Sequence, residues 1–203
     1  MRTLAIECAT EACSVALFEG DEVVASDHRV LGRGHAERLV PMIAALPDRG
    51  RAERILVSLG PGSFTGVRIG VATARALGYA WRAQVAGYPT LALLAATMRA
   101  DRPGERIAVC NGGGHGEWFV QQFGADGKPE GDIRSLAPEA AAAALDAALV
   151  CGTQAEALVA LRGHGQALPL HPDARFALAV PAPLVTSGVR PIYGRAPDAR
   201  LPG

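Results

Sequence analysis

Lysine is almost missing from this chain of 203 residues: of its 20 basic residues, every one but Lys128 is arginine. That skew, together with the many alanines, records base composition more than chemistry. It still excludes something, because a phosphate loop that relies on a lysine cannot be built far from Lys128. Acidic residues are missing from one long stretch, with no Asp or Glu between Arg54 and Ala100. No run of 18 or more apolar residues occurs, which excludes a membrane-spanning helix. The N-terminal apolar run reaches Glu7 after a few residues, too short for a secretory leader. Net charge is zero, so the whole chain advertises neither a nucleic-acid nor a membrane binder. The four cysteines, Cys8, Cys13, Cys110 and Cys151, include no C-x-x-C pair. They read as reduced thiols inside strands of a cytoplasmic protein.

What is present is a regular alternation of elements. Three β-like runs come first, TLAIEC (3–8), CSVALFEG (13–20) and EVVASD (22–27), joined by short links that predict antiparallel hairpins. HAERLVPMIAAL (35–46) has helical spacing interrupted by Pro41. RILVSL (54–59) reads as a strand buried on both faces. A glycine loop, a helix over about 65–82, a strand at 84–88 and a helix over 90–99 follow. The second half repeats the alternation more thinly: RIAVCN (106–111), EWFVQQFG (117–124), a helix over 138–149, LVCG (149–152) and a helix over 153–163. The proline-rich stretch 181–203 reads as an extended tail on the surface. Antiparallel strands leading into parallel ones, twice over, predict an α/β chain with an actin-like, ribonuclease H-like fold. Its two βββαβα subdomains would divide at 1–100 and 101–203, the second reduced. A doubly wound sheet would not open with two hairpins.

The stretch GPGSFTGVRIG (60–70) is built like a phosphate cradle. A P-loop needs a Lys that is not there. The dinucleotide fingerprint needs a third Gly where Thr65 stands and an acid about twenty residues on, which the acid-free stretch cannot supply. Gly60, Gly62, Ser63 and Thr65 are left as a weak anion-loop candidate at a helix start. The alternative is a tight strand-to-helix turn capped by Ser63 or Thr65. Along the helix, Gly66, Gly70, Ala74 and Gly78 recur every four residues, although an interior Gly costs about 1 kcal/mol. Such a bare stripe suits close approach, either of the chain's own sheet or of a partner. Arg68, Arg75 and Arg82, seven apart, form a ridge that is either solvated or directed at an acidic partner or RNA phosphates.

LAIECATEACSVAL, HAERLVPMI and above all GPGSFTGVRIG resemble the TsaB (YeaZ) family, strongly over about 3–95 and in outline beyond. The resemblance implies an actin-like fold and a non-catalytic scaffold in the synthesis of threonylcarbamoyladenosine on tRNA. It would pair with the catalytic subunit TsaD through the first two helices, with TsaE joining the complex and tRNA reached through it. Carried over, the pairing helices are about 34–46 and 65–82, with His35, Leu39, Ile43, Gly66, Gly70, Ala74 and Gly78 at the interface. The same surface could form a homodimer when the chain is alone. The catalytic relative holds a metal with two His one helical turn apart; here His35 has Leu39 at the second position. No catalytic residue, cofactor or metal is expected, and Glu7 reads as a vestige of the acid that actin-like ATPases place there. Ser63 has no evident His–Asp partner. The competing readings are a small actin-like ATPase or peptidase-like hydrolase, and a direct tRNA binder. Around 110–119 the sequence CNGGGHGEWF departs from the family's usual segment, as a hairpin tip or a local adaptation.

Overall fold

The computed structural model describes residues 1–194. The opening meander forms as β1 (Arg2–Glu7), β2 (Ala12–Glu19) and β3 (Glu22–Val30). β3 continues three residues past the expected 22–27 because its ladder with β2 runs on to the Ala12–Val30 pair. β4 (Arg54–Ser58) and β5 (Gln84–Tyr88) join in parallel, so the first sheet has the order β3-β2-β1-β4-β5.

Alternation along these strands feeds two separate cores. Leu4, Ile6, Val57 and their neighbours face α1 (His35–Ala45) and α2 (Phe64–Trp81), which bury Leu39, Ile43, Val67 and Val71 against them. Helix α1 runs unbroken through Pro41, which stands on its exposed side. Ala5, Phe18 and Leu56 face the other way, onto α3 (Thr90–Asp101). Every residue from Leu91 to Ala96 is buried, because α3 lies between two sheets and has no solvent face there.

The second sheet consists of β6 (Ile107–Gly114), β7 (Glu117–Phe123), β8 (Arg134–Leu136), β9 (Leu149–Cys151) and β10 (Gln166–Leu168). Its order, β8-β7-β6-β9-β10, is the first sheet's order with each number raised by five. This is the mixed, twice-repeated α/β layout the sequence predicts. Helix α4 (Pro138–Ala144) is shorter than the expected 138–149. The Gln122 side-chain oxygen accepts from the Asp146 and Ala147 amides, at 3.1 and 2.9 Å, and draws the chain off the helix into β9. Helix α5 (Ala155–Arg162) ends at Gly163, whose φ of +71° serves as a left-handed cap.

The final segment crosses back onto the first sheet. Thr186 bridges Gly87 at the edge of β5, and the Ile192 amide donates to Leu59 O at 2.7 Å. The tail expected over 181–203 is thus described as far as Gly194; the remainder lies outside the described residues.

Candidate functional site

The C-terminal ends of β1 and β4 converge with the starts of α1 and α2, where His35, Gly60, Gly62, Ser63, Thr65 and Gly66 lie, whereas Ile43, Gly78 and Arg82 lie at the far ends of these helices. β1 ends on Glu7, which is fully buried. Its Oε1 accepts the Ala9 amide at 2.6 Å, while Oε2 has no partner. Burial pushes the carboxyl up to about 7, against the lowering pull of the Ala9 amide. Beyond it Cys8 and Cys13 face each other across the hairpin with their sulfurs 3.5 Å apart. The Cys8 thiol is raised by its hydrogen bond to Cys13 and by burial.

The hairpin tip between these cysteines binds both helix starts. Glu11 O accepts from the Leu31 and Gly32 amides, and His35 Nε2 lies 3.3 Å from Ala12 O at the head of α1. Ala9 O accepts the Ser63 amide at 2.7 Å at the head of α2. Ser63 is the cap of α2, its Oγ accepting from Gly66 N, so Thr65 is not the capping residue. Gly62 is required by contact: a Cβ there would stand 1.9 Å from Ala9 O. Gly60 adopts φ +87°. The loop therefore spends its backbone on holding the hairpin and launching the helix, and Gly62 and Ser63 line the neighbouring cleft.

The small stripe turns inward onto the chain's own sheet, the first of the two approaches its spacing suits. A Cβ on Gly66 would meet Cys8 O at 2.1 Å, and one on Gly78 would meet a Val85 methyl at 2.3 Å. Gly70 packs near Cys8, Val57 and Ile6, and Ala74 is fully buried. His35, Leu39 and Ile43 are likewise turned into the core of α1 against the sheet. The faces of α1 and α2 that look outward carry different residues: Val40, 55% exposed, and Tyr79, 92% exposed, among the exposed alanines Ala36, Ala44, Ala72 and Ala76. The sequence reading missed these. With the stripe facing in, the helical period alone puts 72, 76 and 79 out.

The arginine ridge is also redefined. The Arg68 guanidinium stacks 3.5 Å from the Phe64 ring centroid and donates to Tyr193 Oη at 3.1–3.2 Å. Arg75 donates to Val189 O at 2.5 Å. Two of the three arginines thus tie the tail to α2, and Arg82, in a left-handed conformation, ends the helix. Between the tail, α2 and residues Gly112–Gly114 and His115 of the β6–β7 hairpin lies a cleft of about 820 Å³. Asn111, which ends the buried part of β6, has an unpartnered Nδ2 and an Oδ1 that accepts from Thr153 N.

The metal of the catalytic relative does not fit here. His35 is turned to a backbone carbonyl, Leu39 is buried in the core, and no group of three or more His, Cys, Asp or Glu side chains suited to a metal occurs among the described residues.

Residues 22–170 match the family model for TsaD, tRNA N6-adenosine threonylcarbamoyltransferase. The tRNA threonylcarbamoyladenosine biosynthesis protein TsaB of Escherichia coli is 34% identical over 131 residues, 62% of this chain and 56% of that protein. The Bacillus subtilis protein of the same name is 35% identical over 104 residues, 49% of this chain and 45% of that one. The chain thus matches about half the length of these curated relatives. The solved structure of YeaZ from Pseudomonas aeruginosa superposes with a TM-score of 0.78 at 29% identity, covering 95% of this chain and 99% of that one.

Proposed function

We propose, because the chain belongs to the TsaB/YeaZ family within the group matched by the TsaD model, that it is the non-catalytic docking subunit of a tRNA threonylcarbamoyladenosine synthesis complex. The observation that carries this is the outward face of α1 and α2. Both helices spend their inner faces on the first sheet, yet their outer faces present Val40, Tyr79 and four alanines to solvent. Exposed apolar residues of this kind on two neighbouring helices suit a protein partner, and an exposed tyrosine among small residues is a typical anchor. The partner is TsaD; TsaE joins the larger complex, and tRNA is reached through it. The half formed by 1–100 holds the docking face and the half formed by 101–203 supports it, in a cytoplasmic assembly. When the partner is missing, the same face pairs two copies of the chain.

The residues around the hairpin tip favour docking over catalysis. The one buried acid at the cleft end of β1 is Glu7, and burial keeps its carboxyl substantially protonated near neutral pH. Among the described residues no helix is long and apolar enough to cross a membrane. The direct tRNA reading loses its main support, since Arg68 and Arg75 are already committed to the tail.

The test is capture of purified TsaD by this chain and by the Val40→Asp/Tyr79→Ala variant. The reading expects retention by the parent and loss by the variant, with both folded. Equal retention by the variant sinks the docking face, and ATP turnover by the isolated chain sinks the non-catalytic role.

A further inference from the structure

Cys8 and Cys13 continue the β1–β2 register by one pair beyond Glu7 and Ser14, so they stand directly opposite each other. Residues so placed have Cα atoms about 4.5–5.5 Å apart, inside the range a disulfide spans. Their sulfurs are already 3.5 Å apart and point at each other. The pair sits under both docking helices. Cys8 O abuts Gly66, and Cys8 Cβ lies 3.5 Å from the place a Cβ would take on Gly70 of α2. Cys13 is buried in the core that includes Leu39, Met42 and Ile43 of α1. The four residues between them carry the hydrogen bonds from Ser63, Leu31 and Gly32 and the contact with His35.

We propose that Cys8 and Cys13 form a reversible dithiol–disulfide pair whose oxidation repositions the β1–β2 tip and, through it, the starts of α1 and α2. The oxidant is a low-molecular-weight disulfide of the glutathione type. Both sulfurs are buried in the closed tip, so the exchange runs through its local opening. There Cys13, as thiolate, attacks one sulfur of that disulfide and expels a thiolate, leaving a mixed disulfide on Cys13. Cys8, having lost its proton, attacks the Cys13 sulfur and expels the second thiolate. One S–S bond breaks, one forms, two protons leave the protein, and the oxidant is reduced to two thiols. The sulfurs must close from 3.5 Å to about 2.05 Å. Cys8 O packs directly on the backbone at Gly66, so that movement is passed to the first turn of α2. Control of partner docking by this bond rests on the docking reading above.

The experiment equilibrates the folded, full-length chain in graded mixtures of oxidised and reduced glutathione, then unfolds and alkylates it. Oxidation should make the chain two hydrogens lighter and remove two of four alkylation sites, both within the tryptic peptide 3–29. Cys110 and Cys151 pack into different cores and should stay alkylatable. Cys8→Ser and Cys8→Ala should each abolish the change. Amide hydrogen exchange of the same samples should differ between redox states at 31–39 and 62–70. Four alkylatable thiols at every ratio overturns the bond, and unchanged exchange in those segments overturns its coupling to the helices. TsaD capture should change about tenfold between oxidised and reduced protein and be restored by dithiothreitol. Equal capture in both states overturns control of docking. Failure of the reduced protein to capture TsaD at all condemns the docking reading instead, with the alkylation and exchange results still standing on their own.

Discussion

Glu7 and the two glycines that touch Cys8 show how single residues set the balance of this fold. The folded chain holds a proton on Glu7 up to about pH 7, whereas the unfolded chain releases it near 4.5. The folded state therefore binds the extra proton between those values, and its stability falls as pH rises through that window. The full penalty above pH 7 is about 3 kcal/mol. Glu7→Gln keeps the acceptor for the Ala9 amide and cannot ionise, so it should match the parent at pH 4.5. At pH 8 it should melt roughly 5–10 °C higher, a gain that thermal denaturation at the two pH values would show or refute. Gly66 and Gly70 lie on the same stripe yet predict opposite signs. Gly66→Ala drives a Cβ to 2.1 Å from Cys8 O and should cost about 3 kcal/mol or more in urea denaturation. Gly70→Ala meets its neighbours at 3.5 Å and should be neutral or up to about 1 kcal/mol stabilising. Equal effects at the two sites would show that the inward contact does not decide them.

At the scale of elements, α2 is where sequence and structure agree on the pattern and differ on its direction. The four-residue recurrence of Gly66, Gly70, Ala74 and Gly78 is legible because an interior glycine is costly. Which way the stripe points depends on β1 and β5 behind it, and no local pattern encodes that. The meander, α1 and β4 are legible because each has a clean period bounded by turn residues. β8 and β10, three residues each, are too short to show a period and exist through pairing with β7 and β9. Helix α4 loses its last turn to a glutamine on another strand. For the proposed docking, the outward surface of α2 is the part to probe. Tyr79→Ala should leave the melting temperature unchanged, since the ring is 92% exposed. It should weaken TsaD binding by about tenfold or more in titration calorimetry. A fall in stability with unchanged binding would reverse the assignment.

Across the whole molecule, α3 joins the two sheets into one core, with Phe18 and Leu56 on one side and Ile107, Phe119 and Phe123 on the other. That shared core predicts one cooperative transition. The chain offers its own reporters, Trp81 on α2 and Trp118 on β7. Single-tryptophan variants, Trp81→Phe and Trp118→Phe, should report coincident midpoints by fluorescence, and separated midpoints would mean that the halves melt independently. The return of the tail to the first sheet has a consequence in time. The free edge of β5 is met at Gly87 by Thr186. The 99 residues from Tyr88 to Thr186 take roughly 5–20 s to synthesise at about 5–20 residues per second. For that interval the newborn chain carries an uncapped sheet edge, and the residues that close it are made only after the whole second sheet.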